Sequence, residues 1–142
     1  MNATFILGMI YLLYFSYKDI KHKKLDNIKI YAFGELGLIW AYINGLFYIT
    51  LALMGFIFVV AWFLWDRRVI GGADVKLLVC LMPYLGIPTE FTYVFTKLML
   101  FLVIFAFLGL MYGILGRLAS KRHKNIPFIP VITLTFLIYW LI

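Results

Sequence analysis

Thirty consecutive residues, Leu36 through Trp65, carry no charged side chain and no histidine. As one α-helix they would extend about 45 Å, too long for a single upright crossing of a hydrocarbon core of roughly 30 Å. Asn44-Gly45, near the middle, is a turn dipeptide. The stretch therefore predicts two helices, about Ile28–Ile43 and about Leu46–Trp65. The remaining apolar runs predict spans at Ala3–Tyr17, Ala73–Leu85, Phe91–Gly116 and Pro127–Leu141. Gly86-Ile87-Pro88 separates the fourth span from the fifth, and Pro127 suits a first helical turn. Six such spans consume most of the 142 residues and leave only short loops.

With 65% apolar and 13% charged residues, the chain has little surface to offer water; soluble domains average roughly 45–50% and about 25%. This excludes a second soluble domain, a nucleotide-binding fold and a DNA-binding module, so nucleic acid is not an expected partner. The one cysteine, Cys80, lies in an apolar run, which excludes disulfides within the chain, CxxC zinc sites and thiol pairs. It reads as a small buried hydrophobe.

The net charge of +7 has an explanation in topology. Lys18, Lys21, Lys23, Lys24 and Lys29 follow span one; Arg67 and Arg68 follow span three, with Lys76 just inside span four; Arg117, Lys121, Arg122 and Lys124 follow span five. These are 12 of the 13 basic residues, all in alternate connections, while Asn44-Gly45 and Gly86–Glu90 carry none. The positive-inside rule makes the three basic loops cytoplasmic and both termini external. The same lysines and arginines would touch anionic lipid headgroups. Lys97, within span five, is the one misfit. Met1–Thr4 lacks a basic n-region, so the first span reads as an uncleaved anchor instead of a signal peptide. The expected fold is an all-α polytopic membrane domain over residues 1–142, in the cell membrane, with six transmembrane helices.

The acids contribute nothing to that orientation and carry more information. Asp19 falls at the cytoplasmic end of span one, and Asp74 at the cytoplasmic start of span four, directly after Gly71-Gly72-Ala73. The topology places both at one face and at similar depth. Acids at such boundaries are costly to bury and are functional candidates. Two adjacent carboxyls cannot both ionise cheaply, so a pair shares a proton: one group can activate water while the other polarises a carbonyl. Gly71, Gly72 and Ala73 would permit close backbone approach by a neighbouring helix or an extended substrate, and would set Asp74 near a helix N-terminus.

Other polar residues have simpler readings. Asp66 beside Arg67-Arg68 reads as a solvated ion pair, and Asp26 as the N-cap of span two. Glu35, about two turns into span two, reads as a structural partner for Lys97 or as a modulator of the site. His22 and His123 lack the neighbours of a metal site, and Ser16 and Ser120 lack the context of a serine nucleophile. No metal or cofactor is expected. The aromatic residues read as lipid-facing packing and interface anchors.

The stretch Gly71-Gly72-Ala73-Asp74-Val75-Lys76-Leu77-Leu78, ending at Tyr84-Leu85-Gly86, resembles the signature of type IV prepilin peptidases and the related archaeal preflagellin (archaellin) peptidases, six-span aspartic proteases of the Gly-x-Gly-Asp class. Asp74 falls on the second catalytic aspartate of that family. Asp19, heading Asp19-Ile20-Lys21-His22-Lys23-Lys24-Leu25-Asp26-Asn27, falls on the first, and Ile126-Pro127-Phe128-Ile129-Pro130 looks like the family's segment before the last helix. Ala73 replaces the motif's second glycine, Asp26 replaces a proline before Asn27, and Ile129 replaces a glycine between the late prolines. The resemblance implies catalysis by Asp19 and Asp74, with Gly71, Gly72, Ala73, Lys76, Asn27 and Pro127 shaping the substrate site. No CxxC…CxxC methyltransferase domain is expected, so the chain looks like the peptidase-only form. Its substrates would be pilin-like or archaellin precursors, cleaved behind a short basic leader at the cytoplasmic face. Two alternatives are a presenilin-like intramembrane protease, disfavoured by the missing Pro-Ala-Leu element, and a small transporter or channel using Glu35, Lys97 and the aspartates.

Overall fold

The computed structural model describes residues 3–22, 25–67, 70–85, 91–119 and 128–142. All secondary structure among them is helical: α1 (Ala3–His22), α2 (Asn27–Ile43), α3 (Phe47–Asp66), α4 (Gly72–Leu81) with a 3₁₀ turn at Met82–Leu85, α5 (Phe91–Ala119) and α6 (Ile129–Leu141). Each helix covers a span expected from the sequence. The Asn44-Gly45 turn falls where predicted, with Gly45 at φ +70, a conformation that residues with a Cβ rarely adopt. Two helices, α3 and the 95–112 portion of α5, are long and apolar enough to cross a membrane. Helix α1 is as long as α3 but carries Lys18, Asp19 and Lys21 in its last two turns.

The short α4 is the centre of the bundle. It packs against α2 and α3, and its 3₁₀ extension meets α1, α2 and α3; α1 packs on α6, and α6 on α5. Val75, Leu77, Leu78, Cys80 and Leu81, and then every residue of Met82–Leu85, are buried. Pro83 explains the change of helix type, because it has no N–H to continue the α-helical ladder. The carbonyl of Leu85 is met instead by the Tyr139 hydroxyl at 2.8 Å. Tyr84 stacks on Phe33 (centroids 4.2 Å apart, 3° between planes) and donates its hydroxyl to the Phe33 carbonyl at 2.7 Å.

Small residues set the helix spacing, as expected where lipid competes equally for apolar side chains. A Cβ on Gly34 would lie 2.7 Å from Cys80 Sγ, and one on Gly37 2.7 Å from Pro83 Cβ. Cys80 is thus the buried small residue expected, pressed against a glycine of α2. Between α1 and α6, Ser16 and Thr133 share a buried hydroxyl contact of 2.7 Å.

Candidate active site

Both aspartates lie at the same end of the bundle, each beside a helix N-terminus. Asp74 is the third residue of α4 and is buried. Its Oδ2 accepts the Gly71 N–H at 2.9 Å. That is the acidic half of a capping box; Gly71 has no side chain for the reciprocal half. A Cβ on Gly71 would sit 3.0 Å from the same Oδ2, so the glycine leaves the carboxylate room. Gly72 has no such duty: a Cβ there would meet Trp65 only at an ordinary 3.6 Å.

Asp19 is half-buried in the last turn of α1. Its Oδ2 accepts the N–H of Ile129, the first residue of α6, at 3.3 Å. The exposed N–H groups and partial positive charge of a helix start favour a carboxylate. Asp19 is close enough for its charge to act on Asp74, and it also acts on Tyr112 of α5. The two acids, 55 positions apart in the chain, therefore share one electrostatic site.

Lys76 and Asn27, singled out separately in the sequence, are joined. Lys76 Nζ donates to Asn27 Oδ1 at 3.1 Å and lies 5.8 Å from the centroid of the Tyr31 ring. This fastens the start of α2 to α4 two residues from Asp74. Pro127 lies outside the described residues, as do Lys23, Lys24, Arg68, Gly86–Glu90, Lys121, Arg122, His123 and Lys124.

Three expectations need correction. Asp26 occupies the N-cap position of α2, but its side chain caps nothing. It pairs with Lys18 at 2.6 Å and Lys29 at 3.6 Å, because two nearby ammonium groups attract it more strongly than a neutral amide. The Lys18 ammonium holds the Asp26 carboxyl below its usual range. Asp66 makes no ion pair with Arg67, whose guanidinium lies 4.9 Å from the Phe63 ring centroid; Arg68, the other expected partner, lies outside the described residues. Glu35 and Lys97 do not meet: Glu35 is exposed on α2, whereas Lys97 Nζ lies 5.3 Å from the Tyr139 ring centroid. Helices α2 and α5 lie on different sides of the bundle, α2 against α4 and α5 against α6.

Ile129 and Tyr112 were not foreseen as neighbours of Asp19. A backbone N–H carries no sequence signal, and Tyr112 is one of ten tyrosines. Among the described residues, no group of three or more His, Cys, Asp or Glu side chains is arranged to hold a metal ion.

Two carboxyls thus lie at one end of the bundle, each accepting a backbone N–H at a helix start, with a small-residue segment beside Asp74. The model of the type IV leader peptidase family matches residues 6–114, well over half of the chain and inclusive of both aspartates. The chain belongs to the type IV leader peptidase family and is a protease by that membership. No curated protein and no solved structure matches it.

Proposed function

We propose that the protein is a membrane aspartic endopeptidase that removes leader peptides from pilin-like or archaellin precursors at the cytoplasmic face, with Asp19 and Asp74 as the catalytic pair. The supporting observation is the placement of Asp74, buried and held by the Gly71 N–H within the field of Asp19. In this reading all six helices cross the bilayer and both termini face outward.

The pair shares one proton. The ionised member takes a proton from water as the oxygen attacks the scissile carbonyl carbon. The protonated member hydrogen-bonds the carbonyl oxygen, where negative charge develops. The tetrahedral intermediate collapses as the C–N bond breaks, and the leaving amine takes up a proton from the pair. Gly72 and Ala73 offer a low rim over which an extended substrate can reach both acids. A precursor whose leader is cytoplasmic and whose next segment is an apolar helix would present its scissile bond at this depth.

The test is cleavage of a precursor by purified protein in detergent. Asp19→Asn and Asp74→Asn should each reduce cleavage at least about a thousandfold at matched protein levels, and the double variant should be no worse, because the pair acts as a unit. The pH profile should be bell-shaped, with limbs belonging to the pair. Near-normal cleavage by either single variant would overturn the assignment.

A further inference from the structure

Glu35 is an acid inside an expected span that the proposed mechanism does not use. It lies in the middle of α2 among exposed apolar residues, with Tyr31, Leu36, Ile39 and Trp40 around it on the helix surface. No hydrogen-bond donor or cation among the described residues reaches it. Carboxyls inside membrane helices nearly always face the bundle interior or a partner, because hydrocarbon offers them no hydrogen bonds. The interior side of α2 is already occupied: Ile30, Phe33, Gly34, Gly37 and Ala41 are buried, and Gly34 and Gly37 press on α4 and its extension.

The position of Glu35 relative to the site gives it a meaning. Asn27, Tyr31 and Glu35 follow one another at intervals of four, so they form a stripe along one side of α2. Lys76 touches the first two of these and lies two residues beyond Asp74. The stripe thus starts at the side chain of Lys76, two residues from Asp74, and in the six-span reading runs into the bilayer, reaching Glu35 about 12 Å beyond Asn27. A helix laid along it would have its beginning at the acid pair and its body against Glu35.

We infer that this face of α2 is the docking surface for the apolar helix of the precursor, and that Glu35 accepts a hydrogen bond or cation carried by that helix about two turns past the scissile bond. Charge complementarity selects such an occupant: a wholly apolar helix would leave the Glu35 carboxyl unmatched, and a second copy of this chain packed symmetrically on the same face would bring two carboxyls together. The inference rests on the proposed peptidase activity and six-span topology.

Two substrates separate the inference from that reading: a precursor bearing its apolar helix, and a truncated peptide with the same leader and scissile bond but no helix. Failure of the unaltered protein to cleave either one would remove the peptidase reading itself. With activity present, Glu35→Leu should lower the ratio of kcat/KM for helix-bearing over truncated substrate by about three- to tenfold, the size of one hydrogen bond between membrane helices. An unchanged ratio would overturn the inference. Independently, a photo-crosslinking residue at position 35 should capture the precursor's helix in the Asp74→Asn background. Capture of a second copy of the chain, or of lipid alone, would overturn it.

Discussion

The surroundings of Asp74 and Asp19 differ although the two residues share a site. Asp74 belongs to a ten-residue helix packed against its neighbours, and its hydrogen-bond donor, Gly71, is three residues away in the same segment. Asp19 lies on the last turn of a long helix, half-buried, and its donor belongs to α6, 110 positions later. One carboxylate is held by local structure, the other by tertiary docking. Locally held groups keep their geometry as long as their segment stays folded; a group held across the bundle depends on how α1 and α6 seat against each other.

The sharpest test of this contrast is to lengthen each acid by one methylene. Asp74→Glu pushes a longer side chain into a buried position whose donor is fixed, and should abolish cleavage to the level of the Asn variant. Asp19→Glu has room at its half-exposed position and should retain measurable cleavage, a few per cent or more, since a misplacement of about 1 Å costs on the order of a hundredfold. Equal losses in the cleavage assay would break the comparison.

Next in size is the glycine beside Asp74. Gly71 has φ −80 and ψ 156, a conformation open to any residue, so Gly71→Ala acts through its Cβ, 3.0 Å from Asp74 Oδ2. We expect about a tenfold or greater fall in kcat. Gly72→Ala, with only a 3.6 Å contact to Trp65, should stay within about threefold of the unaltered protein. A milder effect at position 71 than at position 72 would show that the glycines serve substrate access and not carboxylate placement.

The packing beneath Asp74 can be probed through stability. Gly34→Ala forces a methyl to within 2.7 Å of Cys80 Sγ and should destabilise by about 1–3 kcal/mol. Adding Cys80→Ala removes the clashing sulfur and should recover part of that loss, a non-additivity readable from thermal unfolding in detergent. Simple addition of the two losses would mean that α2 and α4 move apart instead.

The smallest effect belongs to the loop after Asp19. The Lys18–Asp26 pair lies at the solvent-facing surface, with Asp26 exposed and Lys18 half-buried, so Asp26→Asn should leave cleavage close to normal. The folded protein holds the Asp26 carboxyl below its ordinary value of 3.8, so whatever stability the pair contributes is present above that value. It is lost as pH falls through the lowered one. The small difference in unfolding temperature between Asp26→Asn and the unaltered chain should therefore vanish on acidification below the carboxylate range, and a difference that grows there would contradict the pairing.

Much of this architecture was readable from residue order because it depends on local, one-dimensional properties. The helices and the Asn44-Gly45 turn follow from runs of apolar residues and from glycine, whereas the change to a 3₁₀ turn at Met82–Leu85, inside the span read as Ala73–Leu85, was not foreseen. Asp19 and Asp74 stood out because acids are scarce in such a chain, and alternating basic loops put them at one end. Lys76 and Asn27 were marked by motif, but their contact was not visible, since 49 positions separate them and only the seating of α2 on α4 joins them.

What only the tertiary structure decided concerns partners. Asp26 could cap its own helix or pair with Lys18, and the closeness of the α1 and α2 ends settled it. Glu35 and Lys97 suggested each other as the two charges inside apolar spans, yet the order of helices around α4 puts them on different sides of the bundle. Asp19 finds its donor in α6 for the same reason. Hydropathy and turn chemistry are summed along the chain and so can be read along it. The neighbours of a side chain depend on which small residues let two helices approach, here Gly34 and Gly37 against Cys80 and Pro83, and that geometry exists only once the helices pack.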